Sequence, residues 1–341
     1  MTAYVLFIVA VALLFDFSNG LNDAANSVAT VVGTRVLSPR KAVLWAAFFN
    51  FAAAFLFETH VARTVGKGLV QPQVVTPNLI LAALLAAIVW TLVCTHRGLP
   101  ISVSHALIGA LAGAALVRGG CQALIWSKLA VVASFIVLSP LIGLLLGTLN
   151  MVVTLWICRA RTPRSVDSVF GVLQLLSAAI YSLSHGLNDA QKTMGIIFAL
   201  LMSVPSLQSW ATHKGDPNSD QLAWWIILSC HAAIALGTCL GGWKVMHTLG
   251  NRVARLRPVD GFCAETGGGV TILALSQFGI PVSTTHTITG AIFGVAMTRR
   301  VSSVRWSVGT AIVTAWVLTL PAAAALAGVL YWVLGRLGPG A

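Results

Sequence analysis

The sequence predicts an all-α polytopic membrane protein built from two inverted-topology repeats, with broken helices and helical hairpins meeting at a site near the bilayer midplane. Composition, long uncharged segments and an internal repeat predict it. Of the 341 residues, 57% are hydrophobic and 9% are charged, whereas a soluble domain carries about a quarter charged. So few charges cannot build a water-exposed surface, and lipid must cover most of the chain.

A helical span needs about 20 apolar residues, which leaves room for about ten spans with short connections. No charge interrupts residues 79–94, 129–157 or 222–243, and residues 42–57 and 308–334 also read as spans. Residues 4–15 are apolar but lack a basic leader and an A-x-A cleavage site, so they read as a first span that stays. The net charge of +12 gathers in loops at 35–41, 159–164, 244–257 and 299–305. That is the positive-inside pattern. It places those loops in the cytoplasm and both termini outside, in a multi-pass protein of the cell (inner or plasma) membrane. The charge is therefore a topology signal, and nucleic acid is not an expected partner. The six cysteines are scattered without a C-x-x-C and read as small hydrophobes.

The repeat carries the most information. Gly20-Leu21-Asn22-Asp23-Ala24 returns 166 residues later as Gly186-Leu187-Asn188-Asp189-Ala190. Thr64-Val65-Gly66-Lys67 returns 184 residues later as Thr248-Leu249-Gly250-Asn251. Gly98-Leu99-Pro100-Ile101-Ser102-Val103-Ser104-His105 returns 181 residues later as Gly279-Ile280-Pro281-Val282-Ser283-Thr284-Thr285-His286. An added polar loop at 206–221 accounts for the longer offset. The division is a first transmembrane repeat at 1–157, a cytoplasmic linker at 158–168 and a second repeat at 169–341. An odd number of spans in each half inserts the halves with opposite orientation, the plan of many secondary transporters.

Ionisable groups inside a span are costly and usually functional, and the chain has only nine acidic residues. Asp167, Asp216, Asp220 and Asp260 fall in loops or at span ends and read as solvated carboxylates. Asp16, just before the first motif, reads as a structural or a functional residue. Asp23 and Asp189 sit in apolar surroundings at equivalent repeat positions. The flanking runs, Ser18-Asn19-Gly20-Leu21-Asn22 and Ser184-His185-Gly186-Leu187-Asn188, are expected to break their helices in mid-membrane. Pro followed by Ser or Thr is a helix start, so Ser102, Ser104, Ser283, Thr284 and Thr285 would line an anion site at two helix N-termini. His105 and His286 occupy matching positions, as site residues or as backbone-bonded core. Lys192 either pairs with Asp189 or helps to neutralise the anion.

These residues resemble the inorganic phosphate transporter (PiT) family of cation-coupled symporters. The resemblance rests on Gly20 to Ser27, on His185-Gly186-Leu187-Asn188-Asp189-Ala190-Gln191-Lys192, on Gly242-Trp243-Lys244-Val245, on Gly261-Phe262-Cys263-Ala264-Glu265 and on Pro281 to His286. It implies an inverted-repeat fold, a homodimer in the bilayer, and phosphate bound with its coupling cations between the halves. Asn22, Asn26 and Asn188 join the hydroxyls as phosphate or cation ligands. Asp23, Asp189 and Glu265 become the proton- or cation-coupling residues, with Asp23 and Asp189 as Na+ ligands if sodium drives the cycle. Gln191 is a further candidate, and no cofactor is expected beyond the coupling H+ or Na+.

One position departs. Members resembling sodium-coupled carriers place a Glu in the second span in a phrase like F-E-T. Here Asn50 stands there, within Phe49-Asn50-Phe51, and Glu58 does not substitute for it. Leu84 is the repeat mate of Glu265, so that acid is single. The departure favours protons, or a neutral metal–phosphate complex, over sodium. A sulfate or other oxyanion permease is the alternative, and an intramembrane hydrolase using Asp and His a remote one. The chain lacks the phosphate-cradling GxxxxGK[ST] signature.

Overall fold

In lipid, backbone polar groups have only each other as partners, so apolar runs must coil. The computed structural model describes residues 2–56, 60–213 and 221–337. Its regular elements are helices, apart from isolated bridges at Val70–Leu124 and Thr212–Leu222. The first half holds α1 (Thr2–Gly33), α2 (Pro39–Ala52), α3 (His60–Gly68), α4 (Pro77–Arg97), α5 (Val103–Gly119) and α6 (Trp126–Ile157). The second repeats the order as α7 (Pro163–Met202), α8 (Trp224–Leu240), α9 (Trp243–His247), α10 (Pro258–Gln277), α11 (Thr284–Met297) and α12 (Trp306–Leu337).

Six of these helices are long and apolar enough to cross a membrane, or up to eight if each bent pair is one span. The two bent pairs are α2 with α3 and α8 with α9, the latter turning by 65°. The expected ten spans are therefore too many by this measure. Part of the shortfall is α11, only 14 residues long. The rest is α10, whose apolar character is diluted by the run Glu265-Thr266-Gly267-Gly268-Gly269.

Further expectations meet the structure differently. The Asn-Asp motifs do not break their helices, because α1 and α7 run continuously through them. The Asn and Asp side chains bond across to neighbouring helices, while Ser18 and Ser184 donate to the Leu14 and Ile180 carbonyls one turn back without opening the helix. Gly20 is there for contact, since a side chain would strike the Ile234 backbone of α8. The stretch expected as a linker, 158–168, is partly helical. Pro163 opens α7 and the Thr162 hydroxyl caps it by accepting from the Ser165 amide, so residues 163–168, Asp167 among them, are helical. Asp260 lies at a span end as expected but is buried, not solvated. It caps its own helix through the Arg257 amide at 2.7 Å and meets the Arg299 guanidinium at 2.5 Å. Glu58, Asp216 and Asp220 lie outside the described residues.

The halves interlock. Helix α6 packs along α11 and α12 packs along α5, so each long helix grips the hairpin of the other half. Likewise α4 packs on α1 as α10 packs on α7, and α1 packs on α8 as α7 packs on α2. The outer faces stay apolar, with Phe48, Leu145, Val172 and Val317 exposed where lipid would cover them. The grip needs bare backbone. A side chain at Gly109 of α5 would strike the Leu320 carbonyl of α12, and one at its repeat mate Gly290 the Pro140 carbonyl of α6.

Gly109→Val and Gly290→Val should each cost about 1–3 kcal/mol through overpacking, read as a lowered unfolding temperature in detergent. Gly171→Ala, with nothing within 4 Å of the added carbon, should leave that temperature unchanged. Equal effects at all three positions would remove the close-packing account.

Candidate functional site

Two hairpin tips shape the site. Helix α4 ends at Gly98, whose φ of +70° lets the Leu99 amide reach back to the Cys94 carbonyl at 3.0 Å. Pro100 and Ile101 turn the chain, and Ser102 caps α5 by accepting from the His105 amide at 3.2 Å. The second half repeats this: Gly279 at φ +68°, Ile280 to the Leu275 carbonyl at 3.1 Å, and Ser283 capping α11 through the His286 amide at 3.2 Å. Two helix N-termini with their unpaired amides thus begin inside the protein, as the Pro-x-Ser pattern predicts.

Helices α1 and α7 run past these tips and face each other along a series of polar contacts. The Thr34 hydroxyl donates to Gln174 Oε1 at 2.9 Å. Asp23 Oδ2 lies 3.8 Å from His185 Nε2, and Asn19 Nδ2 lies 3.5 Å from Asp189 Oδ2. Numbers fall on α1 as they rise on α7, so the two helices are antiparallel.

The sequence-predicted residues divide into those at the centre and those that support it. Asp23 accepts from Thr285 at 3.3 Å and from Thr284 at 3.4 Å. Asp189 accepts from Lys192 at 2.5 Å and from Thr284 at 3.4 Å. Lys192 pairs with Asp189, and its ammonium also donates to Ser104 Oγ at 2.5 Å and to the Val282 carbonyl at 3.0 Å. Its repeat mate is Asn26, which donates to Thr285 at 2.9 Å, while Thr285 donates to the Ile101 carbonyl at 3.0 Å. Equivalent residues therefore make equivalent bonds across the halves. Asn22 to Thr95 and Asn188 to Ser276, both at 2.7 Å, are another such pair.

The amide nitrogens of Asn22, Asn26 and Asn188 are thereby engaged, while their buried oxygens have no partner. Unpartnered acceptors suit a cation better than an anion. Donors for an anion come instead from the backbone amides in the first turns of α5 and α11.

Other candidates lie apart. Glu265 receives Thr30 at 2.6 Å, Gln174 at 3.0 Å and Ser177, and so ties α1 and α7 to α10. Gln191 accepts from the Val61 and Ala62 amides and holds the start of α3. His105 and His286 meet edge to face at 4.8 Å, and His286 stacks on Trp316 at 3.9 Å. Asn50 donates to Thr238 at 3.0 Å and places Oδ1 3.3 Å from His185 Nδ1.

His185 is the residue that sequence reading passed over as mere motif. It stands 3.5 Å from Asp189 and contributes, with Asp23 and Asp189, ligand atoms all within 4.8 Å of one another. Its spacing of four residues before Asp189 on a helix was the available signal. Beside the first hairpin break, a cavity of about 390 Å³ is lined by Arg97, Gly98, Lys244, His247 and Arg252, a basic approach for an anion.

Membrane-spanning helices wrapped around a buried, duplicated polar site define a multi-pass membrane transporter. The chain belongs to the phosphate transporter family, which it matches over residues 19–327. It is 52% identical over 326 residues to a Rhizobium meliloti protein named "Probable low-affinity inorganic phosphate transporter", covering 95% of each chain. A Bacillus subtilis protein of the same name is 38% identical over 332 residues, with 97% of each covered. A solved structure titled "The sodium-dependent phosphate transporter" superposes with a TM-score of 0.84 at 28% identity, covering 99% of this chain and all of that one (100%). The relatives are named as transporters, and the chain is a transporter rather than an enzyme, which removes the hydrolase alternative.

Lys192→Met leaves Asp189 as an uncompensated buried charge, which should destabilise the protein by about 3–5 kcal/mol. Adding Asp189→Asn should recover most of that loss. Thermal unfolding of the single and double variants checks it, and no recovery in the double variant would mean that the pair is not the coupled unit.

Proposed function

We propose that the chain carries inorganic phosphate, free or as a metal–phosphate complex, across the cell membrane by symport with a cation. The observation that supports it most is the Asp23–Asp189 pair, set between two hairpin tips that begin with hydroxyls and free amides. Phosphate carries between one and two negative charges near neutral pH. Bringing it beside two buried carboxylates is prohibitive unless positive charge arrives with it. Lys192 already serves Asp189, so the cation that travels with phosphate belongs at Asp23. The names of the relatives and of the structural neighbour support phosphate as the substrate.

Several features support the finer reading. Antiparallel α1 and α7, with packing partners that exchange between halves, favour inverted repeats at 1–157 and 169–341. The basic loops favour a cytoplasmic face with both termini outside, and the family resemblance favours a homodimer. For the coupling ion, Asn50 supplies an amide where sodium-coupled relatives are expected to carry a carboxylate, and this favours protons. The sodium-dependent neighbour makes sodium the alternative.

Labelled phosphate uptake into proteoliposomes tests this. Wild type should accumulate phosphate in sodium-free buffer with the outside acid, and Asp23→Asn or Asp189→Asn should abolish accumulation. No uptake there, with strong uptake once sodium is added at equal pH, would return the chain to sodium coupling. Sulfate competing as well as phosphate would make it a general oxyanion permease. Ser104→Ala or Thr285→Ala should weaken phosphate affinity, because one hydrogen bond to a charged group is worth about 1.5–3 kcal/mol, or roughly ten- to a hundred-fold.

A further inference from the structure

Among the fully buried carboxylates of the described residues, Asp16 is the one without a partner. It lies on α1 with no exposure, and neither carboxylate oxygen makes a hydrogen bond. The others are all served: Asp23 by Thr284 and Thr285, Asp189 by Lys192, Glu265 by three donors, and Asp260 by Arg299. The Thr193 hydroxyl of α7, likewise buried, faces Asp16 and is the one hydroxyl that interacts with it, without the geometry of a formed hydrogen bond. Asp16 and Thr193 continue the α1–α7 contacts, one step beyond Asn19–Asp189. Asn19 Oδ1, a turn further along α1, is a third unpartnered acceptor.

The charges and titratable groups around Asp16 are His185, Asp189 and Lys192 on α7 and Cys230 on α8. Lys192 and His185 already face Asp189. A buried carboxylate with no cation of its own and no formed hydrogen bond costs several kcal/mol, and such a group neutralises by taking up a proton. We propose that Asp16 is a proton-carrying residue of the transport cycle, taking a proton from one side and releasing it to the other as phosphate crosses. The inference rests on the reading of the chain as a proton-coupled carrier and adds a carboxyl outside the Asp23–Asp189 pair. The step forms and breaks only an O–H bond, with water as donor and acceptor.

The test is phosphate-linked proton influx into proteoliposomes loaded with a pH-sensitive dye, with sodium absent and then present. Asp16→Asn keeps the shape and should lose proton influx per phosphate transported, with phosphate exchange in the same vesicles reporting folded protein. An unchanged proton-to-phosphate ratio, or a change confined to sodium stimulation, overturns the proposal. Asp16→Glu keeps a carboxyl and should retain proton influx with a displaced pH profile. An unmoved profile also overturns it, whether or not Asp16→Asn survives reconstitution. Sodium-driven uptake without proton influx in the wild type would overturn both this inference and the proton-coupled reading, whereas coupled wild type beside a fully coupled Asp16→Asn overturns this inference alone.

Discussion

The Lys192 ammonium is buried where three parts of the chain meet, and its charge can be stabilised only if all three stay in place. It bonds Asp189 on its own helix, Ser104 in the first turn of α5 and the Val282 carbonyl just ahead of α11. Desolvating a charge is expensive unless partner and hydrogen bonds fit well. The position of α7 relative to both hairpin tips is therefore coupled to one side chain. The tips themselves depend on left-handed Gly98 and Gly279 and on the caps Ser102 and Ser283, so local turn chemistry and the buried charge specify the same arrangement.

Around that point the antiparallel contact of α1 with α7 organises the rest. Polar residues at helical spacing on each helix find partners on the other, which is why neither helix needs to unwind. The long helices α6 and α12 close over the opposite hairpins through glycines. Each hairpin is therefore seated against a long helix of the other half.

Much of this was legible in the sequence because it is duplicated. The hairpin breaks, the helix starts at Val103 and Thr284 and the pairing of Asp23 with Asp189 all follow from residues that recur in order. What was not legible depends on residues far apart in the chain. Asn and Asp runs look like helix breakers when only neighbours are considered, yet their partners lie on another helix, as with Asn188 and Ser276. His185 looked like motif filler although Asp189 follows four residues on, because Asp23, the other carboxylate it meets, is remote in sequence. Asp260 looked solvated because Arg299 comes from the end of α11. The span count failed for a different reason: α11 is only 14 residues long and α10 is diluted by Glu265 and a run of glycines.

The repeat is least symmetric where its chemistry matters most. Asn26 and Lys192 are mates with mates for partners, Thr285 and Ser104, and both lines reach the carbonyl ahead of the opposite helix start. One mate ends in an amine and the other in an amide. Asp189 therefore has Lys192 at 2.5 Å, whereas Asp23 has hydroxyls and a histidine at 3.8 Å. A site with both halves cationic would hold phosphate without any need for a second ion, and a site with neither would repel it. Under the proposed symport, one ammonium and one carboxylate left to be neutralised would let anion binding and cation binding each make the other more favourable. That reciprocity is what a symporter requires, and on this reading it follows from a single Asn-to-Lys difference between otherwise matched halves.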